Sequence, residues 1–334
     1  MILTIAIPTY NRNDFLRRHV EMLLPQLTPE CQLRILDNRC DEPIEETLRD
    51  LLPKFPGINV EIIRNAANVG GNANILRCIE LCETPWVWVL GDDDAPLPNA
   101  IQTILEHIRA HPECTVINFS VDERREREWT ARGVSELAHT LDGSADLPWI
   151  SNSLYRAEWF KANLKVGYQF TYSMLPHIAV LLTTVGETGK VFFSKAHLVD
   201  SATRDADVTP EQVWSSISFS LGYPVLFDLK MHPSVREELY HRLMRTNLRP
   251  CNGLKNVAFE LLVLAVAGRD PRGAQHYYSQ IIKRQQHTYS RKQKLEAALY
   301  GAMIRFPRLG ARLYRLAKGR SIATIPVLDP LKRM

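Results

Sequence analysis

Three consecutive carboxylates, Asp92, Asp93 and Asp94, follow an apolar run and one glycine in the stretch "WVWVLGDDDAP". Like charges side by side repel, and the arrangement is tolerable where a divalent ion or several donors neutralise it. Asp92 and Asp94, two residues apart, can face one hard cation if the chain turns there, while Asp93 points elsewhere. Mg²⁺ or Mn²⁺ suits such a pair, because it takes one or two protein carboxylates and fills its shell with phosphate oxygens and water. An isolated acidic run reads equally well as a solvated turn. Its place directly after a hydrophobic, β-branched and aromatic run shifts the balance toward chemistry.

Three other polar clusters also close apolar runs: "PTYNR" (Pro8 to Arg12), "LDNRCDEP" (Leu36 to Pro43) and "RNAANVGGNAN" (Arg64 to Asn74). Each alone has a plain structural reading. Asp37 would cap the turn that follows it, and the two glycines of "NVGGNAN" would cap a helix. Neither GxxxxGK[ST] nor GxGxxG is present, so a P-loop and a dinucleotide fingerprint are both excluded.

The elements that must position these clusters alternate in type. "LTIAIP", "LRILDN", "INVEIIRN", "WVWVLGDDD" and "CTVINFSV" read as strands, separated by segments of helical spacing such as "NDFLRRHVEMLLPQL" and "NAIQTILEHIRAH". Strands spaced by such helices make βαβ units and a mainly parallel α/β sheet. Ligands bind beyond the carboxyl ends of its strands, so four strand-end loops would converge on one edge. The segment from Asp122 to Asp146 reads as a polar, irregular surface excursion. "WISNSLYRAEWF" then returns to strand and helix, "YSMLPHIAVLLTTVG" is an apolar helix, and "KVFFS" is a strand. After about Thr209 only helical patterns remain, one of them opened by Asp270 as N-cap with Pro271 behind it. These changes predict a first domain over 1–208 and a helical second domain over 209–334.

In order and spacing, "IPTYNR", "LDN", "NVGGNAN" and "GDDD" resemble the nucleotide-sugar-binding half of glycosyltransferase family 2, which has the Rossmann-like GT-A fold. The resemblance covers residues 1 to about 120 well and 150 to 205 loosely. Chain length and the "GDDD" form of the Asp-X-Asp motif are most similar to bacterial O-antigen and capsule transferases, including abequosyltransferase-like members. It implies that Pro8, Thr9, Tyr10 and Arg12 lie against the nucleotide, that Asp37 binds the base, and that Asn68, Gly71 and Asn74 shape the nucleoside pocket. Asp92 and Asp93 complete the donor-binding set, with Asp92 on ribose or metal-bound water. Asp92 and Asp94 make the station for Mn²⁺ or Mg²⁺ on the donor's diphosphate. The implied reaction is inverting transfer to a hydroxyl, which needs a general base.

Here the chain departs from the family pattern. The usual acidic pair at the start of the helix after "SNSLYRAEWF" is replaced by "MLPHIAVLL". His177 is the titratable group nearest to that place, and an imidazole can serve as base; a lone histidine there is more often one that caps or packs an apolar helix. Asp200, Asp205 and Asp207 in "LVDSATRDADV" compete for the role or form a solvated acidic loop.

Charge is uneven. Lys283 to Arg320 holds eleven Lys or Arg against the single acid Glu296, so that of a net +4 the rest of the chain carries −6. In "IRFPRLGARLYRLAKGR", Phe306, Leu309, Leu313 and Leu316 form one helical stripe, with Arg305, Arg308, Arg312 and Arg315 beside it. Such a helix over 299–320 either lies in an anionic membrane interface or docks on its own body. Nucleic-acid binding is disfavoured, because aromatics are not interleaved for stacking. Six cysteines without a CxxC pair, no basic leader and no apolar run of about 18 residues predict a cytoplasmic protein, peripheral at most to the inner face of the membrane. The expected partners are a nucleoside-diphosphate-sugar donor and a lipid-linked or oligosaccharide acceptor. A sugar-phosphate nucleotidyltransferase is the rival enzyme, although its glycine-rich first loop is missing. A non-catalytic nucleotide-sugar-binding scaffold is the rival of another class.

Overall fold

The computed structural model describes residues 1–121, 125–141, 147–200, 216–246, 254–286, 289–319, 321–325 and 327. It divides into two compact units, one of Met1–Thr171, Leu175–Asp207 and Met231–Arg242, the other of Tyr172–Met174, Val208–Lys230 and Leu243–Met334.

The first unit is built on an eight-stranded sheet. Its strands are β1 (Leu3–Thr9), β2 (Cys31–Asp37), β3 (Asn59–Arg64), β4 (Trp86–Val89), β6 (Val116–Ser120), β7 (Trp129–Arg132), β8 (Ser153–Arg156) and β9 (Lys190–His197), in the order β3-β2-β1-β4-β8-β6-β9-β7. β5 (Ala95–Pro96) and β10 (Val199–Asp200) form a separate antiparallel ribbon. Pairings from β3 through β4 are parallel, and β8 runs antiparallel between β4 and β6, which makes the sheet mixed. Helices cover both faces of this sheet, and every residue of β2 is buried, Gln32 and Arg34 included, Arg34 paired with Glu61 of β3. Those helices are α1 (Asn13–Leu23), α2 (Ile44–Leu48), α3 (Gly71–Glu80), α4 (Ala100–Ala110), α5 (Gly133–Thr140), α6 (Ala157–Lys161), α7 (Leu164–Gln169) and α8 (Pro176–Val185). Leu16, Val20 and Leu23 of α1 and Ile101, Ile104 and Leu105 of α4 share one core with Ile5, Ile7, Leu33, Trp86 and Trp88 of the sheet.

Register decides the site. The parallel pairing sets Thr9 opposite Asp37 and Asp37 opposite Arg64, so the last residues of three strands stand in one row. β4 stops at Val89, opposite Ala6 of β1, and Leu90 donates its N–H to the Ala6 carbonyl. The acidic triplet therefore begins beyond that same edge.

The polar stretch 122–146 is not irregular throughout. It contains β7, paired antiparallel to β9 on the sheet edge, and α5. Trp129 stacks on Phe193 with ring centroids 4.4 Å apart, and Leu137 and Ala138 are buried. Arginines and glutamates around these few apolar residues mask the pattern in the sequence. Gly133 links strand and helix at φ 71°, where a Cβ would lie 2.3 Å from the Glu187 carbonyl oxygen. Gly133→Ala is expected to destabilise by about 2 kcal/mol, read as a lower urea midpoint, because both the backbone region and the space exclude a side chain. An unchanged midpoint would refute the tight crossing.

The second unit is helical. Its elements include α9 (Ser216–Gly222), α11 (Leu254–Val266), α12 (Pro271–Gln285), α13 (Arg291–Arg305) and α14 (Pro307–Lys318), α10 (Pro233–Thr246) lying largely in the first unit. Val257, Leu261, Ala274, Ile281 and Ile304 make its core. Asp270 caps α12 by accepting from the Gly273 N–H, and Ser290 with Gln293 makes a capping box on α13. Among the described residues five cysteines are free and buried, and no helix is long and apolar enough to cross a membrane.

Candidate active site

The acidic triplet folds as one tight turn, closed by the Asp94 N–H donating to the Gly91 carbonyl at 3.1 Å. At its head a Cβ on Gly91 would lie 2.7 Å from Asp94 Oδ2, so a side chain there would displace that carboxylate. The three carboxylates go to different partners. Asp92 accepts from the Thr9 hydroxyl on one oxygen (2.9 Å) and from Arg12 Nη1 on the other (3.0 Å). Asp93 meets the same arginine nitrogen at 2.7 Å. Asp94 Oδ2 accepts from the Trp149 indole N–H at 2.8 Å and from the Ser151 hydroxyl. Arg12 and local donors are thus among the neutralising groups that three adjacent carboxylates require.

This partition separates the two carboxylates expected at the metal station. Asp92 was expected to ligate a metal together with Asp94 or to contact ribose or metal-bound water, and here both its oxygens are engaged by Thr9 and Arg12. Burial pushes its carboxyl above the ordinary range, Arg12 pulls it down, and Asp93 raises it again. Asp94 is the better fit to a divalent ion, because a ligating carboxylate is normally oriented by outer hydrogen bonds such as those from Trp149 and Ser151.

Around the turn, residues without a sequence signal do the holding. Ser151 joins three groups, with its carbonyl accepting from Trp88 Nε1 (2.7 Å), its hydroxyl accepting from the Gly91 N–H (2.8 Å) and donating to Asp94. Buried His19, on α1, lies with Nδ1 3.0 Å from the Asp92 carbonyl, and burial lowers its pKa. As a neutral donor it fixes the backbone of the triplet.

The second and third strand ends form one network. Asp37, fully buried, accepts from the Cys40 N–H at 2.7 Å and pairs with Arg64 across the register. Its carboxyl is lowered: burial alone would raise it, and the Cys40 and Arg64 donors outweigh that. Asn74, expected to line a pocket, is buried and spends its amide on the Leu36 carbonyl (3.0 Å) and on Asn65 (2.9 Å). Asn68 accepts from Asn38 at 2.8 Å and from the Gly70 N–H at 2.9 Å. Gly70, not Gly71, carries the unusual backbone, with φ 84° just before α3, while a Cβ on Gly71 would meet nothing within 4 Å. Asn38 and Asn65, which the sequence reading passed over, tie the loops together. Tyr10 is exposed, and Pro8 sits in register with Leu36 at the end of β1.

The four base candidates part company. Asp200 is exposed and pairs with Ala95 in the β5–β10 ribbon, which sets it beside the residue that follows Asp94. His177 opens α8 in the protein interior, 2 % exposed, its Nε2 3.1 Å from the Pro148 carbonyl. Burial lowers it to about 4. Asp205 and Asp207 lie outside the described residues.

Comparison with known proteins fits this edge of strand-end loops. The sequence pattern of "Glycosyl transferase family 2" matches residues 4–166. That stretch, just under half of the chain, carries the glycosyl transferase family 2 pattern. Abequosyltransferase RfbV of Salmonella typhimurium is 22 % identical over 178 residues, 52 % of this chain and 51 % of that protein. The match thus spans about half the length of that relative. Among solved structures, S. aureus TarS 1–349 is similar at a TM-score of 0.53 and 13 % identity, over 93 % of this chain and 92 % of that one. Its UDP complex gives a TM-score of 0.53 and 14 % identity over 95 % and 92 %. At such identities the likeness concerns the fold, and that fold is GT-A.

Proposed function

We propose that this protein is a family 2 glycosyltransferase that moves a sugar from a nucleoside-diphosphate donor to a hydroxyl of a lipid-linked glycan in cell-surface polysaccharide synthesis. The observation that carries the reading is the Gly91–Asp94 turn at the strand-end edge, held by Thr9 and Arg12 from the end of β1, with Asp94 oriented by Trp149 and Ser151 and the ends of β2 and β3 in register beside β1. The structure of TarS with UDP supports a nucleoside diphosphate as the carrier, and a relative named as an abequosyltransferase supports a sugar as the group moved.

Asp94 is the residue we assign to hold Mn²⁺ or Mg²⁺. The ion, when bound, acts as a Lewis acid on the leaving diphosphate. Thr9, Tyr10 and the Asp37 network border the nucleotide, and Arg12 with His19 keeps the acidic turn closed against the sheet. In the transfer the acceptor oxygen attacks the anomeric carbon as the bond to diphosphate breaks, inverting that centre. Asp200 is the group we assign to take the acceptor's proton, since it is exposed next to the turn. Release of nucleoside diphosphate across a panel of donors and Mn²⁺, with and without acceptor, tests this. Transfer that requires the acceptor and falls at least about a hundredfold in Asp200→Asn is the expected result. No release with any donor would leave the binding scaffold as the reading.

The basic tail supports a membrane location for the acceptor. Gly310 and Tyr314 of α14 pack inward, with Tyr314 stacked on Phe259 at 5.3 Å, while Phe306, Leu309, Leu313 and Leu316 stay 43–84 % exposed. The leucine stripe therefore faces away from the helix's own core, beside Arg305, Arg308, Arg312 and Arg315. We assign this face to an anionic lipid surface, with each arginine contributing about 1 kcal/mol near it. Leu313→Glu with Leu316→Glu in the full chain is expected to abolish co-sedimentation with phosphatidylglycerol vesicles. Equal sedimentation of the two proteins would refute the lipid face.

A further inference from the structure

The segment from Leu147 to Asn152 passes beside the acidic turn and is tied at both ends. At one end Trp149 and Ser151 both donate to Asp94 Oδ2. At the other the Pro148 carbonyl accepts from His177, one residue before the tryptophan. His177 follows Pro176 in the first turn of α8, so its ring is fixed by a helix that is buried almost throughout. With Nε2 donating, Nδ1 is the nitrogen left to take a proton; it is buried, and the Leu147 carbonyl of the same strap also acts on the ring. A general base must reach the acceptor hydroxyl. This nitrogen faces the interior instead, and the low basicity of the buried ring points the same way.

We infer that His177 is a positioning residue: through Pro148 it fixes the 147–151 strap, and the strap's Trp149 and Ser151 aim the Asp94 carboxylate at the divalent ion of the donor site. The inference rests on the metal and donor reading of Asp94 given above. It explains how a chain lacking the acidic pair of its family can keep a titratable residue at that place without using it as a base. A carbonyl left without its donor would let the strap shift, and outer groups of this kind are worth roughly 10–100-fold in metal affinity.

Two substitutions at one position separate the roles. In His177→Gln the amide Nε2 can still donate to Pro148, whereas His177→Leu fills the space and donates nothing. Mn²⁺ affinity in the presence of UDP, read by the EPR signal of free Mn²⁺, needs no turnover and no knowledge of the sugar. His177→Leu is expected to weaken Mn²⁺ at least about tenfold, and His177→Gln to stay within about threefold of wild type in both Mn²⁺ affinity and transfer, with an unshifted pH profile. Trp149→Phe, which removes the donor at the other end of the strap, should weaken Mn²⁺ similarly and covers the case in which the leucine variant does not fold. A glutamine variant as inactive as the leucine one, with Mn²⁺ affinity intact, would make His177 the base and overturn the inference. Unchanged Mn²⁺ affinity in Trp149→Phe, or no Mn²⁺ binding by the wild type, would also overturn it. A wild type that transfers no sugar yet holds Mn²⁺ more tightly than its leucine variant would remove the proposed function and leave the positioning role standing.

Discussion

Asp94→Ala is expected to lower sugar transfer by about a thousandfold, the scale on which removing one transition-state electrostatic contact acts. The argument rests on how the carboxylate is held. Asp94 is 1 % exposed, yet it sits in a turn at the ligand edge of the sheet, and Trp149 and Ser151 approach it from one side through the same oxygen. Such a buried carboxylate with two fixed donors is oriented in advance, and reorganisation during the reaction is avoided. Asp94→Asn sharpens the test. An asparagine oxygen still accepts from Trp149 and Ser151, so the fold is kept, but the negative charge that would hold a divalent ion is gone. Both variants should therefore be inactive, and only the alanine variant should also lose stability, by about 1–3 kcal/mol for the two orphaned donors. Transfer that persists in Asp94→Ala with a matched donor would remove the metal role from this residue.

Much of the frame was legible in the sequence, because each strand of the first half is a short β-branched run closed by turn residues. The parallel order followed from the helices between them, and with it the edge on which the polar clusters meet. What escaped was contact across long separations. Nothing in "PTYNR" signals that Arg12 neutralises two aspartates about 80 positions away, and nothing in "WISN" marks Ser151 as the link between Trp88, Gly91 and Asp94. Gly71 attracted notice as one of a glycine pair, but only its neighbour needs a positive φ. β7 was hidden because a strand of four residues among charged ones carries too short a period to read. The tail helix was legible as amphipathic, but its orientation was not, because the inward contacts come from Gly310 and Tyr314 rather than from the leucines.

Arg12→Ala is expected to destabilise the first unit by about 3 kcal/mol at neutral pH, the range for removing one partner of a buried ion pair. Distance does not decide this. Arg17 and Asp50 also approach to 2.6 Å, closer than the 3.0 Å between Arg12 and Asp92. Asp50 is two-thirds exposed at 66 %, however, so water already solvates its charge, and Arg17→Ala should leave stability nearly unchanged. Around Asp92 the surroundings are different: its side chain is 10 % exposed, Asp93 stands next to it, and water cannot take over when the guanidinium leaves. The lost term is then mostly the penalty of an unpaired buried charge. Asp92→Asn in the Arg12→Ala background removes that charge, keeps an oxygen for Thr9, and should return about 2 kcal/mol, a coupling that distant sites do not show. Urea unfolding followed by tryptophan fluorescence reports on this unit, which holds Trp86, Trp88, Trp129, Trp149 and Trp159. Additive effects of the two substitutions would mean that Arg12 is solvated like Arg17, and that the crowded carboxylates are neutralised by something other than this chain.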